Sequence, residues 1–510
     1  MASTEAPRRA IGKKLVIACD GTWEDSDQGY EKSTFAPPTA QIPTNVTRII
    51  RALNHQDDNK VPQIGFYQRG IGTNGGTEDE LLGGLTGSGL SEHVREAYGF
   101  LANNFDPQTQ AELDNNEAQL NEIVLLGFSR GAFTARAIAS LISDIGLLTH
   151  IGMEYFWGIF GDWMKQNIAG RESEWFASEF GDKIPFTAPE YRQRLIDSGY
   201  TRWPITIRAV GVWDTVGSLG IPISFKENNV KAYSFVNTKV AQQIQHAFHA
   251  VALDEHRNLF SPTLWEEPSP PTKLKTLKQC WFPGVHSNIG GSYADAGISN
   301  ITLAWMISQL EDTDGGILKF DPDYLDWLQD QNAKYYIQQK EVRPWGLGQL
   351  YDSASASTPT GFLEGLKPIT RTPGHYNEVS DENGKQTKTP LKGTNECIHS
   401  CVRVRIDDHG DGPVNSSFTT EIESLLQRAK GLVGIAPATG YKSAALANYE
   451  LVQPLSVKTE TDHARVGPSG VFWKDKKGNV NIPEDTLGRT ELRLLKRSVA
   501  MSGAATVGSR

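Results

Sequence analysis

Short, continuous apolar runs alternate along this chain with segments whose apolar positions recur at helical spacing. Residues 14–19 (Lys-Leu-Val-Ile-Ala-Cys) read as a buried strand that stops at Asp20-Gly21-Thr22-Trp23. Thr44 can cap a helix over 45–53, with Val46, Ile49, Ile50 and Leu53 on one face. Strands are predicted at 61–67, 122–126, 205–213 and 277–282, and helices at 91–103, 132–147, 240–252 and 300–310. Strands without polar alternation that are separated by helices predict an α/β fold: a mostly parallel, doubly wound sheet covered on both faces. Beyond 310 the pattern thins. Stretches 353–360 and 378–394 read as loops, 397–406 as one more strand, 419–430 as a helix, and 472–482 as a hairpin around Lys477-Gly478. The division expected is a flexible lead over 1–12, a catalytic domain over 13–310 with a cap inserted at about 150–203, a C-terminal extension over 311–490 packed on it, and a frayed tail over 491–510.

Composition narrows the function. The 510 residues include 38% apolar positions and 12 Trp, enough for a sizeable core. The net charge is −10, which excludes a basic footprint for nucleic acid and argues against purely electrostatic attachment to anionic lipid. Four cysteines in a chain this long are no disulfide framework and fit a reducing compartment. No signal peptide and no apolar run of about 18 residues is visible, so the expectation is a soluble, cytoplasmic protein without a transmembrane segment. Peripheral membrane contact and the oligomeric state stay open.

Gly127-Phe128-Ser129-Arg130-Gly131 matches G-x-S-x-G. The bare pattern is weak, but its context is not: it follows the apolar run 123–126 and opens the helical segment from Ala132. A nucleophile elbow needs that strand, turn and helix, with small residues two before and two after the serine. Ser129 is therefore the expected nucleophile, and the Arg130 N–H the expected oxyanion donor. In chain order an acid and then a histidine should follow, each past a strand. Asp214, in Val212-Trp213-Asp214-Thr215-Val216-Gly217, meets the first requirement. His286, in Trp281-Phe282-Pro283-Gly284-Val285-His286-Ser287, meets the second, with His399 as second choice.

Asp20, Gly21 and Thr22 stand at the carboxyl end of the first strand, where open α/β sheets bind ligands. A backbone N–H near Gly21 could be the second oxyanion donor. Asp20 as a metal ligand lacks a second ligand in pattern. The Gly83–Gly89 stretch lacks the ending of a phosphate-binding loop, and Cys397-x-His399-x-Cys401 has no second ligand pair, so neither metal nor cofactor is expected. The segment between Ser129 and Asp214 is rich in rings (Tyr155, Phe156, Trp157, Phe160, Trp163, Trp175, Phe176, Phe180). They would either greet acyl chains as a lid or bury the insertion against the sheet.

Taken together, Cys19-Asp20-Gly21-Thr22-Trp23, Gly70-Ile71-Gly72-Thr73, the Ser129 elbow, the Asp214 and His286 segments, and Ala252-Leu253-Asp254-Glu255-His256-Arg257 resemble the type VI secretion lipase-effector family, whose catalytic domain also occurs as stand-alone proteins. The resemblance covers roughly 14–310. It implies an α/β-hydrolase with a Ser–Asp–His triad, carried here by Ser129, Asp214 and His286, and phospholipid esters as substrates. Asn288, Asn300 and Glu24 depart from that family's usual residues. The function expected is a serine esterase or lipase acting on lipid or phospholipid esters. The competing readings are an esterase or thioesterase for a small soluble metabolite, a hydrolase fold kept as a binding module, and metal-dependent phosphoester chemistry at Asp20.

Overall fold

The computed structural model describes residues 12–21, 30–31, 39–40, 42–70, 87–105, 121–168, 171–216, 238–341, 343–353, 368–379, 386–412, 414–415, 440–453, 470–478 and 480–507. Thr22, Glu24, the Gly-rich loop from 71 to 86 and the helix expected at 419–430 lie outside them.

Seven strands form one sheet: β1 (Lys14–Cys19), β2 (Gln63–Gln68), β3 (Glu122–Phe128), β4 (Ile207–Trp213), β5 (Ile244–Ala252), β6 (Thr276–Phe282) and β7 (Glu396–Ile398). Their spatial order is β7-β6-β5-β4-β3-β1-β2, and every neighbouring pair is parallel. The order reverses between β1 and β3, which opens a crevice at their carboxyl ends, the place where such sheets hold ligands.

Side chains alternate across the sheet with period two. On β1, Leu15, Ile17 and Cys19 join one core, while Val16 and Ala18 join the other. The first core is covered by α2 (Gly87–Asn104) and α3 (Arg130–Ile145). The second is covered by α1 (Asn45–Ala52), capped by Thr44 as predicted, and by helix Gly297–Asp312. Ile317, Phe320, Ile398, Trp473 and Leu494 are buried in this second core, so residues beyond 310 share it and add the edge strand β7.

Four expectations are corrected. Residues 244–252 form the central strand β5, where a helix was expected. Both of its faces are buried, so no alternation betrays it. Residues 396–407 are a short strand followed by the helix Ser400–Asp407, not one strand. The loop expected over 378–394 contains a two-stranded antiparallel ladder between Asn377–Val379 and Gln386–Pro390. The tail from 491 is helical over Arg489–Val507, and Leu494 and Leu495 are buried. The hairpin holds: Phe472–Asp475 pairs antiparallel with Asn481–Pro483.

The insertion folds as four short helices and is tied to the far end of α3. Trp163 Nε1 donates to Asp144 Oδ2 at 2.8 Å, and Arg192 to the Asp144 carbonyl at 3.0 Å. Asp144 lies about 20 Å along the helix from Ser129 at ~1.5 Å per residue. Phe156, Phe160, Trp163 and Phe176 are buried in the α2–α3 core. Most of the rings thus pack the insertion against the sheet layer, while Trp157 is exposed.

Candidate active site

Four strand ends meet at the carboxyl edge: Cys19-Asp20 after β1, Phe128-Ser129 after β3, Trp213-Asp214 after β4, and the loop to His286 after β6. Phe128 and Trp213 face each other across the β3–β4 ladder, and the Ser129 N–H donates to the Trp213 carbonyl at 3.1 Å. Ser129 adopts φ 59°, ψ −123°, a strained conformation for a residue with a Cβ. The surrounding glycines explain how it is held. A Cβ on Gly127 would lie 2.5 Å from the Gly131 carbonyl, and one on Gly131 would lie 2.2 Å from the Cys19 carbonyl. Only hydrogens fit there, so strand, turn and helix close tightly around the serine.

His286 opens a one-turn helix, His286–Gly290, and its Nδ1 lies 2.6 Å from Asp214 Oδ2. Its ring packs between Phe128 (centroids 4.6 Å apart) and Phe260 (4.9 Å). With Nδ1–H given to Asp214, the lone pair for accepting a proton is on Nε2. Burial lowers the His286 pKa; Asp214 pulls it up without restoring it, and Arg257 adds to the lowering. Ser129 Oγ makes no hydrogen bond to His286 among the described residues. Hydrogen bonds of this kind often tighten only with substrate bound.

Asp214 is fully buried and has φ 38°. Its Oδ1 accepts from the Ala252 N–H at 2.9 Å. Burial pushes its carboxyl up, but Arg371 and His286 outweigh that and hold it far below the usual carboxylate range. The next residue is fixed as well: the Thr215 N–H donates to His249 Nε2 at 3.1 Å. His249 Nδ1 must then donate to Gln279 Oε1, 3.1 Å away. Burial, with Arg136, lowers the His249 pKa to about 3, so the ring is neutral. His249 falls within 240–252, where a helix was expected; it is a strand residue that braces the Asp214 turn.

Arg371 was missed altogether. It is an isolated cation in a polar stretch, 157 positions from its partner, and no local pattern marks it. Its fork binds both Asp214 oxygens, at 2.5 Å and 3.0 Å.

The other expected site residues divide. Gly21 lies against the serine: a Cβ on it would be 3.3 Å from Ser129 Cβ. Its N–H, however, donates to Asp20 Oδ1 at 2.8 Å, so the donor proposed for an oxyanion is engaged. Asp20 also accepts from Thr44 and Tyr67 at 2.8 Å and Thr47 at 3.2 Å. Burial raises its pKa to about 6 against those donors. Four donors on one carboxylate, three of them on Oδ2, make Asp20 the tie that joins β1 to α1 and β2. Arg130 is half-buried, and burial lowers its pKa to about 10.

His399, the second choice for the base, caps the helix after β7 and pairs with Glu491 at 2.8 Å. Cys280, Cys397 and Asp485 approach one another within 4.8 Å. The Asp485 oxygens are already held by Lys278 (3.0 Å) and Trp305 (2.8 Å). Burial raises the Cys280 thiol well above its ordinary value, against the thiolate a metal needs. Asn288 donates to the Gln349 carbonyl at 3.0 Å, a bond an ionised Asp could not make. Asn300 Oδ1 lies 3.5 Å from the buried Arg48 guanidinium.

Comparison with known proteins places this geometry in context. Residues 13–309 match the family described as type VI secretion phospholipase effector Tle1-like, catalytic domain. An uncharacterized protein of Saccharomyces cerevisiae is 27% identical over 286 residues, 53% of this chain and 35% of its own. The chain thus spans about a third of that relative's length. A crystal structure of an uncharacterized protein from Pseudomonas aeruginosa is similar with a TM-score of 0.35 and 16% identity, covering 66% of this chain and 52% of that one. A structure of the Tle1 effector bound to the VgrG spike of the type VI secretion system is similar with a TM-score of 0.30 and 19% identity, covering 57% of this chain and 53% of that one.

Proposed function

The chain belongs to the Tle1-like phospholipase effector catalytic-domain family, and on that premise we propose that it is a serine hydrolase of the α/β-hydrolase type, cleaving carboxylic esters of lipids or phospholipids. Ser129 Oγ attacks the ester carbonyl while His286 Nε2 takes its proton. The Arg130 N–H stabilises the oxyanion. His286 returns the proton to the departing alcohol, and a water repeats the sequence to release the acid. Asp214 holds the imidazole in the tautomer this needs. The observation that carries the reading is the 2.6 Å contact of Asp214 with His286 at the sheet edge that holds the strained Ser129. No cofactor enters.

The lipid part rests on the family, because most of the insertion's rings pack into the core. That same burial favours a small soluble ester or thioester as the second reading. No helix among the described residues is long and apolar enough to cross a membrane. The four cysteines are free and buried, and a cytoplasmic setting belongs to the same reading.

The test is hydrolysis of phospholipid vesicles beside short-chain nitrophenyl esters, with wild type and Ser129→Ala. The expected result is fatty-acid release that rises at the lipid surface and falls about 10⁴-fold or more in Ser129→Ala. Turnover of soluble esters alone, with no gain at a lipid surface, selects the second reading. Turnover that survives Ser129→Ala contradicts both.

A further inference from the structure

Arg371 lies outside the stretch that matches the family, yet it is built into the site. Its side chain is fully buried. Besides the two Asp214 oxygens, its terminal nitrogens donate to the Ala252 and Phe260 carbonyls, each at 2.7 Å. The segment carrying it is fastened on both sides. Ile369 exchanges two hydrogen bonds with His256, its N–H to the His256 carbonyl and its carbonyl to His256 Nδ1, each at 2.9 Å. The Gly374 N–H donates to Glu396 at 2.8 Å. Four bonds from one planar fork to a carboxylate and two carbonyls leave the Asp214 carboxylate one orientation.

The fork also changes what His286 senses. An aspartate beside an imidazole ordinarily favours the imidazolium by its negative charge. Here that charge is shared with a guanidinium. The remaining groups around His286 are balanced in the same way. Glu255 accepts the His286 N–H at 3.2 Å, but it is bound by Arg257 through two contacts of 3.0 Å and by Ser353 at 2.6 Å. His249, behind the Asp214 turn, is neutral. Tyr376, half-buried near Arg371, is kept protonated by its partial desolvation.

We propose that Arg371 is a positioning residue for the reaction: its fork fixes the Asp214 carboxylate against His286 Nδ1 and cancels part of the charge His286 would otherwise feel. The proposal rests on the reading of Ser129, His286 and Asp214 as the reacting set. Two consequences follow. The site is incomplete within 13–309, and His286 is a free base at lower pH than an unshielded aspartate would allow.

The experiment is the pH dependence of kcat/KM for a short-chain nitrophenyl ester, measured on the full chain as wild type, Arg371→Met and Arg371→Lys, with thermal melts of each. Removing the cation favours the imidazolium, so the acid limb of Arg371→Met should move to higher pH while the rate falls about 10²-fold from lost alignment. Arg371→Lys should restore the wild-type midpoint, because the charge returns, but only part of the rate, because the fork does not. A purely structural role would lower the rate without moving the midpoint, and that result overturns the proposal, as does an Arg371→Met enzyme that behaves like wild type. If Arg371→Met does not fold, Arg371→Gln, which keeps hydrogen-bond donors and loses the charge, takes its place: an acid limb above that of wild type supports the proposal, and an unmoved one contradicts it. Folded wild type with no ester turnover overturns the underlying reading and the proposal with it, whereas active wild type with unmoved variants overturns the proposal alone.

Discussion

Asp214→Asn is expected to lower turnover about 10⁴-fold and to cost about 3–5 kcal/mol of stability. The two losses have different causes. The activity loss comes from the tautomer: an amide can offer its N–H₂ to His286 Nδ1, which moves the ring proton to Nε2 and removes the base. The stability loss comes from Arg371. Its guanidinium is fully buried and would keep an amide oxygen and the two carbonyls as acceptors but lose the carboxylate paired with it. The double variant Asp214→Asn with Arg371→Met separates the two, since it should recover much of the stability and none of the activity. Urea unfolding and initial rates on one preparation read both. A single variant within tenfold of wild-type turnover would contradict the role given to Asp214.

Gly131→Ala is expected to abolish measurable turnover, a loss of at least about 10²-fold, and to lower the unfolding midpoint. The added carbon would meet the Cys19 carbonyl at 2.2 Å and the Asp20 carbonyl at 2.4 Å. Both are backbone atoms of β1 and its end, so no side-chain rotation relieves the clash. Either α3 moves away from the sheet, taking Ser129 with it, or β1 shifts in its ladders with β2 and β3. Gly161→Ala is the control. It lies within the helix Phe156–Met164 with nothing within 4 Å of the new carbon, and should be neutral or stabilising by up to about 1 kcal/mol. Equal losses in the two variants would mean that the tight elbow is not what holds the serine.

What could be read from the chain was the part with short-range signals. Residues 14–19 and 122–128 are apolar enough to mark buried parallel strands, and the small residues around Ser129 mark the turn between β3 and α3. Asp214 and His286 followed from standing just past strands. Residues 244–252 failed because Gln245, His246 and His249 interrupt the apolar run and several alanines favour a helix, while the sheet on either side decides the outcome. The helix at 400 was missed because its cap is His399, which lies outside the usual set of capping residues. The aromatic insertion looked the same whether its rings faced a substrate or the core; only packing against α2 and α3 distinguishes the two. Arg371 needed the tertiary fold, since a buried ion pair across 157 positions leaves no periodicity behind.

The central claim is that Ser129 is an activated nucleophile. It is tested most directly by treating the folded protein with a fluorophosphonate probe, wild type beside Ser129→Ala, and mapping the adduct by mass spectrometry. A single adduct on Ser129 in wild type, absent from the variant, is the predicted result. Folded wild type that stays unlabelled, or a label that persists elsewhere in Ser129→Ala, would contradict it.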